Sequence, residues 1–442
     1  MRYIPNTDAD RREMLAAIGR PSLDALFEDI PQTVRDRYVP LGLRAHSEVD
    51  VVRLFAEWAN QNAVTELVPF VGGGIYDHYT PAVVKHLAGR SEFYTAYTPY
   101  QPEISQGTLT AMFEFQTIVC ELTGMEIANA SMYDGATATA EAALMAERIR
   151  GRGRIAVSKG LFQHVRRVVD TYCWAAGIER VDLPIGEDGR TVVPQNEADV
   201  SAVILQTPNA AGVVETLRGV KEAIGDALLI VSADPVSLAV LEPPGALGAD
   251  VVTGEGQALG LPMAFGGPLL GLFATRRQYL RQMPGRVAGR TVDVNDATGY
   301  TMAAQTREQH IRRERATSNI CTNSALCALM ATMYAATLGA DGLRTVAKQC
   351  LAKAHDLADR IAELPGFSLP FESAFFNEFV VSTSEPAAAV AARARKAGFL
   401  IGVPDLNMPH VLGAGGGVRI AVTEKRTKPE MDRLIAVLEG AA

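Results

Sequence analysis

The sequence predicts an α/β fold in which a large α/β domain is preceded by a helical arm and followed by a smaller α+β domain. From about Ile127, short β-branched runs such as Val203–Gln206 and Leu228–Ser232 alternate with helical patterns. Apolar strands separated by helices imply right-handed crossovers and a sheet covered on both faces. The 442 residues are more than one compact domain usually holds. The expected domains are residues 1–65, 66–323 and 324–442.

The arm is predicted from helix-start signals. Thr7 is followed by Asp10 and Ser47 by Asp50, the spacing of a hydroxyl cap with an acid three residues on, and Ser22 begins a shorter apolar pattern. The remaining elements follow from apolar periodicity. We expect strands at Ile155–Val157, Ile178–Leu183, Asp250–Thr253, Phe379–Ser382 and Gly417–Val422, and helices at Phe162–Ala176, Ala325–Ala340, Pro386–Lys396 and Lys428–Glu439.

Composition excludes several classes of protein. A net charge of -8 argues against a nucleic-acid or anionic-membrane surface. The apolar stretch Ala325–Ala340 is too short and too mixed to span a bilayer and is expected to be a buried helix. Five cysteines, an odd number with no C-x-x-C pair, indicate reduced thiols in a cytosol, and no metal-ligand spacing is found among the histidines. The residues before Asp10 lack the apolar run of a signal peptide.

Two strand ends are candidate ligand sites. Asp234 follows an apolar strand, where a carboxylate could pair with a pyridinium nitrogen or simply cap a helix. In a pyridoxal-phosphate enzyme of this layout, the Schiff-base lysine belongs just after the strand at Asp250–Thr253. Gln257 stands in that place, and no lysine occurs from Glu222 through Ala347. Because glutamine has no amine, this chain is expected not to hold the cofactor covalently there.

The segment Tyr94–Gln106, Y-T-A-Y-T-P-Y-Q-P-E-I-S-Q, gathers tyrosines, threonines and prolines. Its two prolines stiffen the backbone and make it a poor helix and a poor core strand. It suits either a loop that lines a site or a surface loop with buried tyrosine rings.

At these segments the sequence resembles the P-protein of the glycine cleavage system, in the form of the alpha subunit of the split, two-chain type. The matching stretches lie along nearly the whole chain in family order, and the tyrosine segment and A-T-S-N-I-C-T are the most specific. They are Phe70–Pro81, Tyr94–Gly107, Ile127–Ala142, Gln206–Glu215, Gly260–Pro268 and Arg312–Thr322.

The resemblance implies a fold, an activity and partners. The fold would be that of the pyridoxal-phosphate-dependent transferases, aspartate aminotransferase-like or fold type I. With a beta subunit that carries pyridoxal phosphate, the family decarboxylates glycine and transfers the aminomethyl group to the lipoyl arm of H-protein. The expected assembly is a cytoplasmic alpha-2 beta-2 heterotetramer, with the working site near the alpha–beta boundary.

The resemblance also assigns roles to residues, none of them catalytic in this chain. Tyr97, Tyr100 and Gln101 are expected to line the partner's active site across the interface. A second set, Thr317, Ser318 and Asn319, resembles a hydroxyl-bearing loop that contacts the neighbouring chain's cofactor phosphate, although Thr317 and Ser318 could instead cap a helix. The candidates for vestiges of an ancestral site are Asp234, Gln257 and Arg419.

Two other functions remain open from the sequence. One is a self-sufficient aminotransferase-like homodimer that uses Lys221 or Lys159, and the other is a scaffold with no contribution to a site. A cluster of arginines could meet an acidic carrier protein, or form a solvated helix face with Glu308 and Glu314. The four are Arg307, Arg312, Arg313 and Arg315.

Overall fold

The computed structural model describes residues 5–63, 66–194, 199–264, 266–305, 308–404, 406 and 408–440. Contacts divide the chain into two compact units, Met1–Thr65 and Glu66–Ala442. The division into three domains, with a boundary after residue 323, stays a prediction. Helices and strands are numbered below in chain order.

In the described part of the first unit, three α-helices bury little of their own surface, and a 3-10 helix spans Asp24–Phe27. The α-helices are α1 (Asp8–Ala17), α2 (Gln32–Arg35) and α3 (Glu48–Asn60). Thr7 Oγ1 accepts a hydrogen bond from Asp10 N at 3.2 Å, and Ser47 Oγ accepts one from Asp50 N at 3.2 Å, which confirms both predicted helix starts. Among the described residues of this unit, Ala25 is the one that is buried. Its role as a packing arm stays a prediction.

The second unit is built around a seven-stranded sheet. Its strands are β2 (Ile127–Ala128), β3 (Arg154–Ser158), β4 (Glu179–Leu183), β5 (Ala202–Thr207), β6 (Leu228–Ala233), β7 (Val251–Glu255) and β8 (Gly271–Thr275). The strand order is β2-β8-β7-β6-β5-β3-β4. Strands β3 to β7 run parallel, whereas β8 and β2 are antiparallel to their neighbours. The predicted parallel strands are confirmed within two residues at each end, and every residue of β5 and β6 is buried, as a two-sided sheet requires.

The helices of this region are α4 (Ala82–Ala88), α5 (Ser91–Tyr94), α6 (Gln106–Thr123), α7 (Gly135–Arg150), α8 (Gln163–Ala176), α9 (Val220–Ile224) and α10 (Gln309–Arg312). The predicted helix at Phe162–Ala176 is confirmed as α8. Helix α7 is the most buried of them, since every residue from Gly135 through Ala143 is buried. Small side chains allow this close packing, since a Cβ on Gly135 would lie 2.8 Å from Glu255 N.

The remainder holds two smaller sheets, a strand pair and four helices. Its strands are β1 (Val68–Phe70), β9 (Val287–Val292), β10 (Thr298–Ala303), β11 (Phe367–Ser368), β12 (Glu378–Thr383), β13 (Phe399–Ile401) and β14 (Gly417–Ala421). The helices are α11 (Ala325–Ala362), α12 (Ala387–Lys396), α13 (Pro409–Leu412) and α14 (Lys428–Glu439). Strands β11, β12 and β14 form an antiparallel sheet, β9 and β10 pair antiparallel, and β1 pairs in parallel with β13. The predicted C-terminal elements are confirmed.

Helix α11 begins where predicted and continues well past residue 340. It is broken at Gly339, whose φ of 63° lies in the left-handed region. Among the described residues, α11 alone has the length and hydropathy of a membrane span, and 33% of its most apolar stretch is buried. The run from Ala325 to the break extends about 21 Å, short of the ~30 Å hydrocarbon layer.

A glycine-rich loop, residues 71–81, is tied to the segment that follows β14. Asp77 Oδ2 accepts a hydrogen bond from Arg426 Nη2 at 2.8 Å, and His78 Nδ1 lies 2.7 Å from Glu424 Oε2. The Cys350 thiol of α11 donates to the same Glu424 oxygen at 3.5 Å. These contacts fix the loop that passes in front of the carboxyl ends of the sheet strands.

Candidate functional site

A cavity of about 430 Å³ lies at the carboxyl ends of β5, β6 and β7. Ligands of open α/β sheets bind at this edge, because loops and helix N-termini converge there. The glycine-rich loop, the start of α7 and the start of α8 complete its walls. The residues that line it are Gly73, Gly74, Ile75, Tyr76, Asp134, Gly135, Ala136, Phe162, His164, Val165, Val168, Gln206, Pro208, Ser232, Ala233, Asp234, Glu255 and Leu269.

Gln257 stands in the place of the expected lysine, and its side chain forms hydrogen bonds within the chain. Its side chain is 1% exposed, and its Oε1 accepts from Tyr76 N at 3.0 Å. Its Nε2 donates to Tyr76 O at 3.1 Å and to Leu261 O at 2.8 Å. The amide therefore links the loop after β7 to the glycine-rich loop, and both of its N–H donors are used within the chain.

The N-terminus of α7 is filled by two carboxylates of the chain itself. Asp134 caps the helix, with Oδ1 accepting from Thr137 N at 2.7 Å. Glu255 Oε2 accepts from Gly135 N at 2.9 Å, while its Oε1 accepts from the backbone N–H groups of Gln257 and Leu270, each at 3.0 Å. A helix N-terminus attracts anions such as phosphate. In this chain Asp134 and Glu255 already accept hydrogen bonds from the N-terminus of α7. A phosphate at this position would therefore be repelled by two carboxylates.

Asp234 lines the cavity at the end of β6, as expected of a ligand-facing carboxylate. Its Oδ1 accepts from Ser237 N at 2.7 Å, at the first residue of a short 3-10 helix whose N-cap position is occupied by Val236. Burial raises the pKa of Asp234 and brings that of Glu255 to about 7. Both carboxyl groups thus stand in a weakly solvated wall.

Arg419, on β14, is matched by a buried acid. Its Nε lies 3.1 Å from Glu378 Oε1, and its guanidinium stands 5.4 Å from the centre of the Phe162 ring. Glu378 Oε2 also accepts from Gly73 N at 2.8 Å, and its side chain is 3% exposed. The positive charge that could grip a substrate carboxylate is therefore balanced within the chain. Sequence reasoning missed Glu378, because nothing in the strand pattern marks it as the partner of Arg419.

The two candidate lysines of a self-sufficient enzyme lie elsewhere. Lys221 Nζ donates to Asp250 Oδ2 at 2.7 Å and to Ala227 O at 2.6 Å, at the amino ends of β6 and β7. That is the edge of the sheet opposite the cavity. Lys159 follows β3, is exposed, and is not among the residues that line the cavity. Neither lysine stands where an amine would meet a ligand in the cavity.

The tyrosine segment forms a separate, largely exposed feature. Tyr97 is 81% exposed and Tyr100 is 50% exposed, and Gln101 is also exposed. A buried arginine supports the segment from beneath: Arg286 donates to Thr98 Oγ1 at 3.0 Å and to Tyr100 Oη at 3.1 Å. Sequence reasoning missed Arg286, since an isolated arginine before a strand gives no signal of a partner nearly 190 residues away.

The segment Thr317–Asn319 lies near the same support. Thr317 and Ser318 are half-buried beside Glu308, which pairs with Arg286 at 3.8 Å. Ser318 Oγ accepts from Ile320 N at 3.1 Å, whereas α11 begins only at Ala325. The alternative that Thr317 and Ser318 cap that helix is therefore wrong.

A second cavity of about 190 Å³ lies between the tyrosine segment and the start of α11. Tyr97, Thr98 and Pro99 line one wall, and Thr322 and Asn323 lie on another. The predicted residues thus fall into an inward group, Asp234, Gln257 and Arg419, and an outward group. The outward group comprises Tyr97, Tyr100 and Gln101 of the tyrosine segment and Thr317–Asn319, and Tyr97 is its member that lines the second cavity.

The arginine cluster does not form a simple solvated helix face. Glu308 is 8% exposed and pairs with Arg286, so the solvated-face interpretation is wrong for this residue. Arg315 Nε lies 4.0 Å from Glu314 Oε1 on the surface. Arg307 lies outside the described residues.

The trio His78, Cys350 and Glu424 has ligand atoms within 4.8 Å of one another, a spacing compatible with a metal ion. The Glu424 carboxylate already binds His78 Nδ1, the Cys350 thiol and Tyr79 N–H. Hydrogen bonding within the chain accounts for this arrangement.

Comparisons with known proteins agree with this geometry. The family model described as "Glycine cleavage system P-protein" matches residues 1–438. The chain is 49% identical to "Probable glycine dehydrogenase (decarboxylating) subunit 1" of Chlorobaculum parvum, over 99% of both chains. A crystal structure of glycine decarboxylase (P-protein), in inhibitor-bound form, matches with a TM-score of 0.91 and 42% identity over the full length of both chains. Glutamate decarboxylase of Lactobacillus brevis is 14% identical and shares the fold alone, with a TM-score of 0.67. Together these structures confirm the predicted pyridoxal-phosphate-dependent transferase fold. This chain belongs to the glycine cleavage system P-protein family.

Proposed function

We propose that this chain is the alpha subunit of a glycine decarboxylase and that a beta subunit, its partner, holds the pyridoxal phosphate. The observation that carries the proposal is the misfit between the sheet-edge cavity and that cofactor. Gln257 replaces the amine, and Asp134 and Glu255 take the helix amides that would bind its phosphate. The relatives' designation as "subunit 1" supports a second chain.

The outward group supplies what the chain would add to the partner's site. Tyr97, Tyr100 and Gln101 present aromatic and polar groups on a stiff segment, which suits lining a pocket across an interface. Arg286 would keep the segment in place when the chains meet. The hydroxyl groups of Thr317 and Ser318, with Asn319, are proposed to contact the partner's cofactor phosphate.

Pyridoxal phosphate, when bound, supplies an electron sink for loss of the carboxylate of glycine. The residues of this chain would exclude water from the pocket and orient groups around it. The second cavity, walled by tyrosine, proline and leucine side chains, is proposed to form part of the passage for the lipoyl arm of H-protein. The remaining arginines Arg312, Arg313 and Arg315 are candidates for meeting that carrier.

We further propose an alpha-2 beta-2 heterotetramer in the cytoplasm. All five cysteines are free, as expected in a reducing compartment. The many exposed apolar side chains of α3, including Phe55 at 60% and Trp58 at 52%, are consistent with burial against another chain.

The test is a glycine–bicarbonate exchange assay on this chain, on a co-expressed partner chain, and on the two together with lipoylated H-protein. The proposal predicts exchange by the pair and background rates for this chain alone. Exchange by this chain alone would contradict the absence of a cofactor site. A pair that forms a stable complex without exchange would contradict the assignment to glycine.

A further inference from the structure

The sheet-edge cavity keeps the size and shape of a binding site although it does not suit pyridoxal phosphate. Its volume of about 430 Å³ falls in the range of small-molecule pockets, and it lies where α/β sheets bind ligands. Its walls come from three strands, two helices and the glycine-rich loop. A ligand of this cavity has to be complementary in charge, hydrogen bonding and shape to the side chains that line it.

The charged groups that line the cavity are acidic. Asp134, Asp234 and Glu255 contribute carboxyl groups, and neither lysine nor arginine lines it among the residues that the structure describes. Desolvation lowers the pKa of His164, which disfavours the charged form of its ring. The nearby arginine, Arg419, is balanced by Glu378. Burial raises the pKa values of Asp234 and Glu255, and a bound cation would oppose that shift by favouring their charged forms, so the cavity suits a cation better than an anion.

A buried polar group in the wall has no partner in the chain. Ser232 is 8% exposed and lines the cavity two residues before Asp234, on the same strand. Among the described residues, no group forms a hydrogen bond with its hydroxyl. The hydroxyl is reachable from the cavity and can form a hydrogen bond with a polar group of a ligand.

The other walls are flat and apolar. The rings of Phe162 and His164 lie nearly parallel, with an interplanar angle of 12° and centroids 5.9 Å apart. The aliphatic side chains of Val165, Val168 and Leu269 also line the cavity. Such walls bind a planar or ring-shaped body rather than an extended polar chain.

We propose that this cavity binds a small organic cation without a phosphate group, whose apolar ring carries a primary ammonium or a protonated ring nitrogen. The cation would face Asp234 and Ser232, and the ring would lie beside Phe162. The site is formed by this chain alone, so the proposal does not depend on the activity of the complex.

Three ligands of similar shape and different charge test the proposal. They are benzylamine, which is a cation near pH 7, benzyl alcohol, which is neutral, and benzoate, which is an anion. Titration calorimetry on the full-length chain is expected to show benzylamine binding at least about tenfold more tightly than benzyl alcohol, or about 1.4 kcal/mol. Benzoate is expected not to bind. Equal binding of benzylamine and benzyl alcohol, or preferred binding of benzoate, would overturn the proposal.

Two variants locate the site. Asp234→Asn removes the charge and keeps the shape, and is expected to weaken benzylamine binding about tenfold while leaving benzyl alcohol unchanged. Val168→Phe fills the cavity and is expected to abolish binding of both. Asp341→Asn, at a side chain that is 98% exposed, is the matched control and should change neither. Benzylamine binding that survives Val168→Phe in a folded chain would place the ligand elsewhere and refute the site.

Discussion

Glu255 shows at the scale of one residue how the sheet edge has been adapted. Its two carboxylate oxygens accept three backbone N–H groups, from Gly135, Gln257 and Leu270. These bonds connect the end of β7, the start of α7 and the strand that follows. The residue therefore acts as a structural junction two residues before Gln257.

The junction predicts a pH-dependent stability. Burial raises the pKa of Glu255 in the folded chain to about 7, above the ~4.3 of an unfolded chain. A raised pKa gives stability that is present below the unfolded value and is lost as pH rises through about 7. The free energy of unfolding of the wild type should fall, relative to Glu255→Gln, by up to about 3 kcal/mol from pH 4.5 to 8.

Urea unfolding of the wild type and of Glu255→Gln across that pH range measures this difference. Taking the difference removes the contributions of Asp234 and Glu378, whose pKa values burial also raises. Parallel pH profiles for the two proteins would show that Glu255 titrates as an ordinary carboxyl group.

Tyr97 provides a second prediction at the residue scale. Because its side chain is 81% exposed, Tyr97→Ala should change the free energy of unfolding of the isolated chain by less than about 0.5 kcal/mol. If Tyr97 lines the partner's site, turnover of the assembled complex should fall at least about tenfold, with assembly intact by gel filtration.

The matched control is Trp174→Ala, at an aromatic side chain on α8 that is 83% exposed. It should change neither stability nor turnover. Equal turnover for Tyr97→Ala, Trp174→Ala and the wild type would instead favour a scaffold role for the tyrosine segment.

At the scale of elements, the start of α7 depends on the close approach of Gly135 to β7. A Cβ at this position would lie 2.8 Å from Glu255 N and 2.9 Å from the Gly254 carbonyl carbon, and both atoms belong to the backbone. Gly135→Ala should therefore destabilise the chain by about 1–3 kcal/mol, against the usual gain from alanine in a helix.

Gly107→Ala is the control, because a Cβ at this position in the first turn of α6 meets no atom within 4 Å. It should be neutral or stabilising by up to about 1 kcal/mol. Thermal or urea unfolding of the two variants gives the comparison. Similar effects of both substitutions would contradict the close packing of α7 on β7.

The same elements show which parts of the fold are predictable from the sequence. Strands such as β5 and β6 are apolar runs buried on both faces, and α8 has an apolar stripe with the helical period, so both kinds of element are found. Helix α7 was not predicted, because its alanine and threonine residues are buried on all sides and show no amphipathic period. The break at Gly339 likewise hid the second half of α11.

Some features of the candidate site are likewise predictable from the sequence, and others are not. The missing lysine, Asp234 and the tyrosine segment are visible in the sequence, because each depends on residues that are close together along the chain. The partners of Arg419 and Tyr100 are not visible, because Glu378 and Arg286 reach them through pairing of distant segments. Charge balance at a site thus depends on tertiary contacts that periodicity cannot show.

At the scale of the whole molecule, the proposed function divides the work between two chains. The inward group of this chain forms hydrogen bonds and ion pairs within the chain, whereas the outward group is exposed or half-buried. A self-sufficient enzyme would instead have a lysine amine at the sheet edge, and the residues of its outward group would be covered by its own chain.

The most direct test is borohydride reduction of the co-purified complex in the presence of pyridoxal phosphate, followed by peptide mass spectrometry of each chain. The account predicts a pyridoxyl label on a lysine of the partner chain and none on this chain. A stoichiometric label on Lys159, Lys221 or any other lysine of this chain would contradict it.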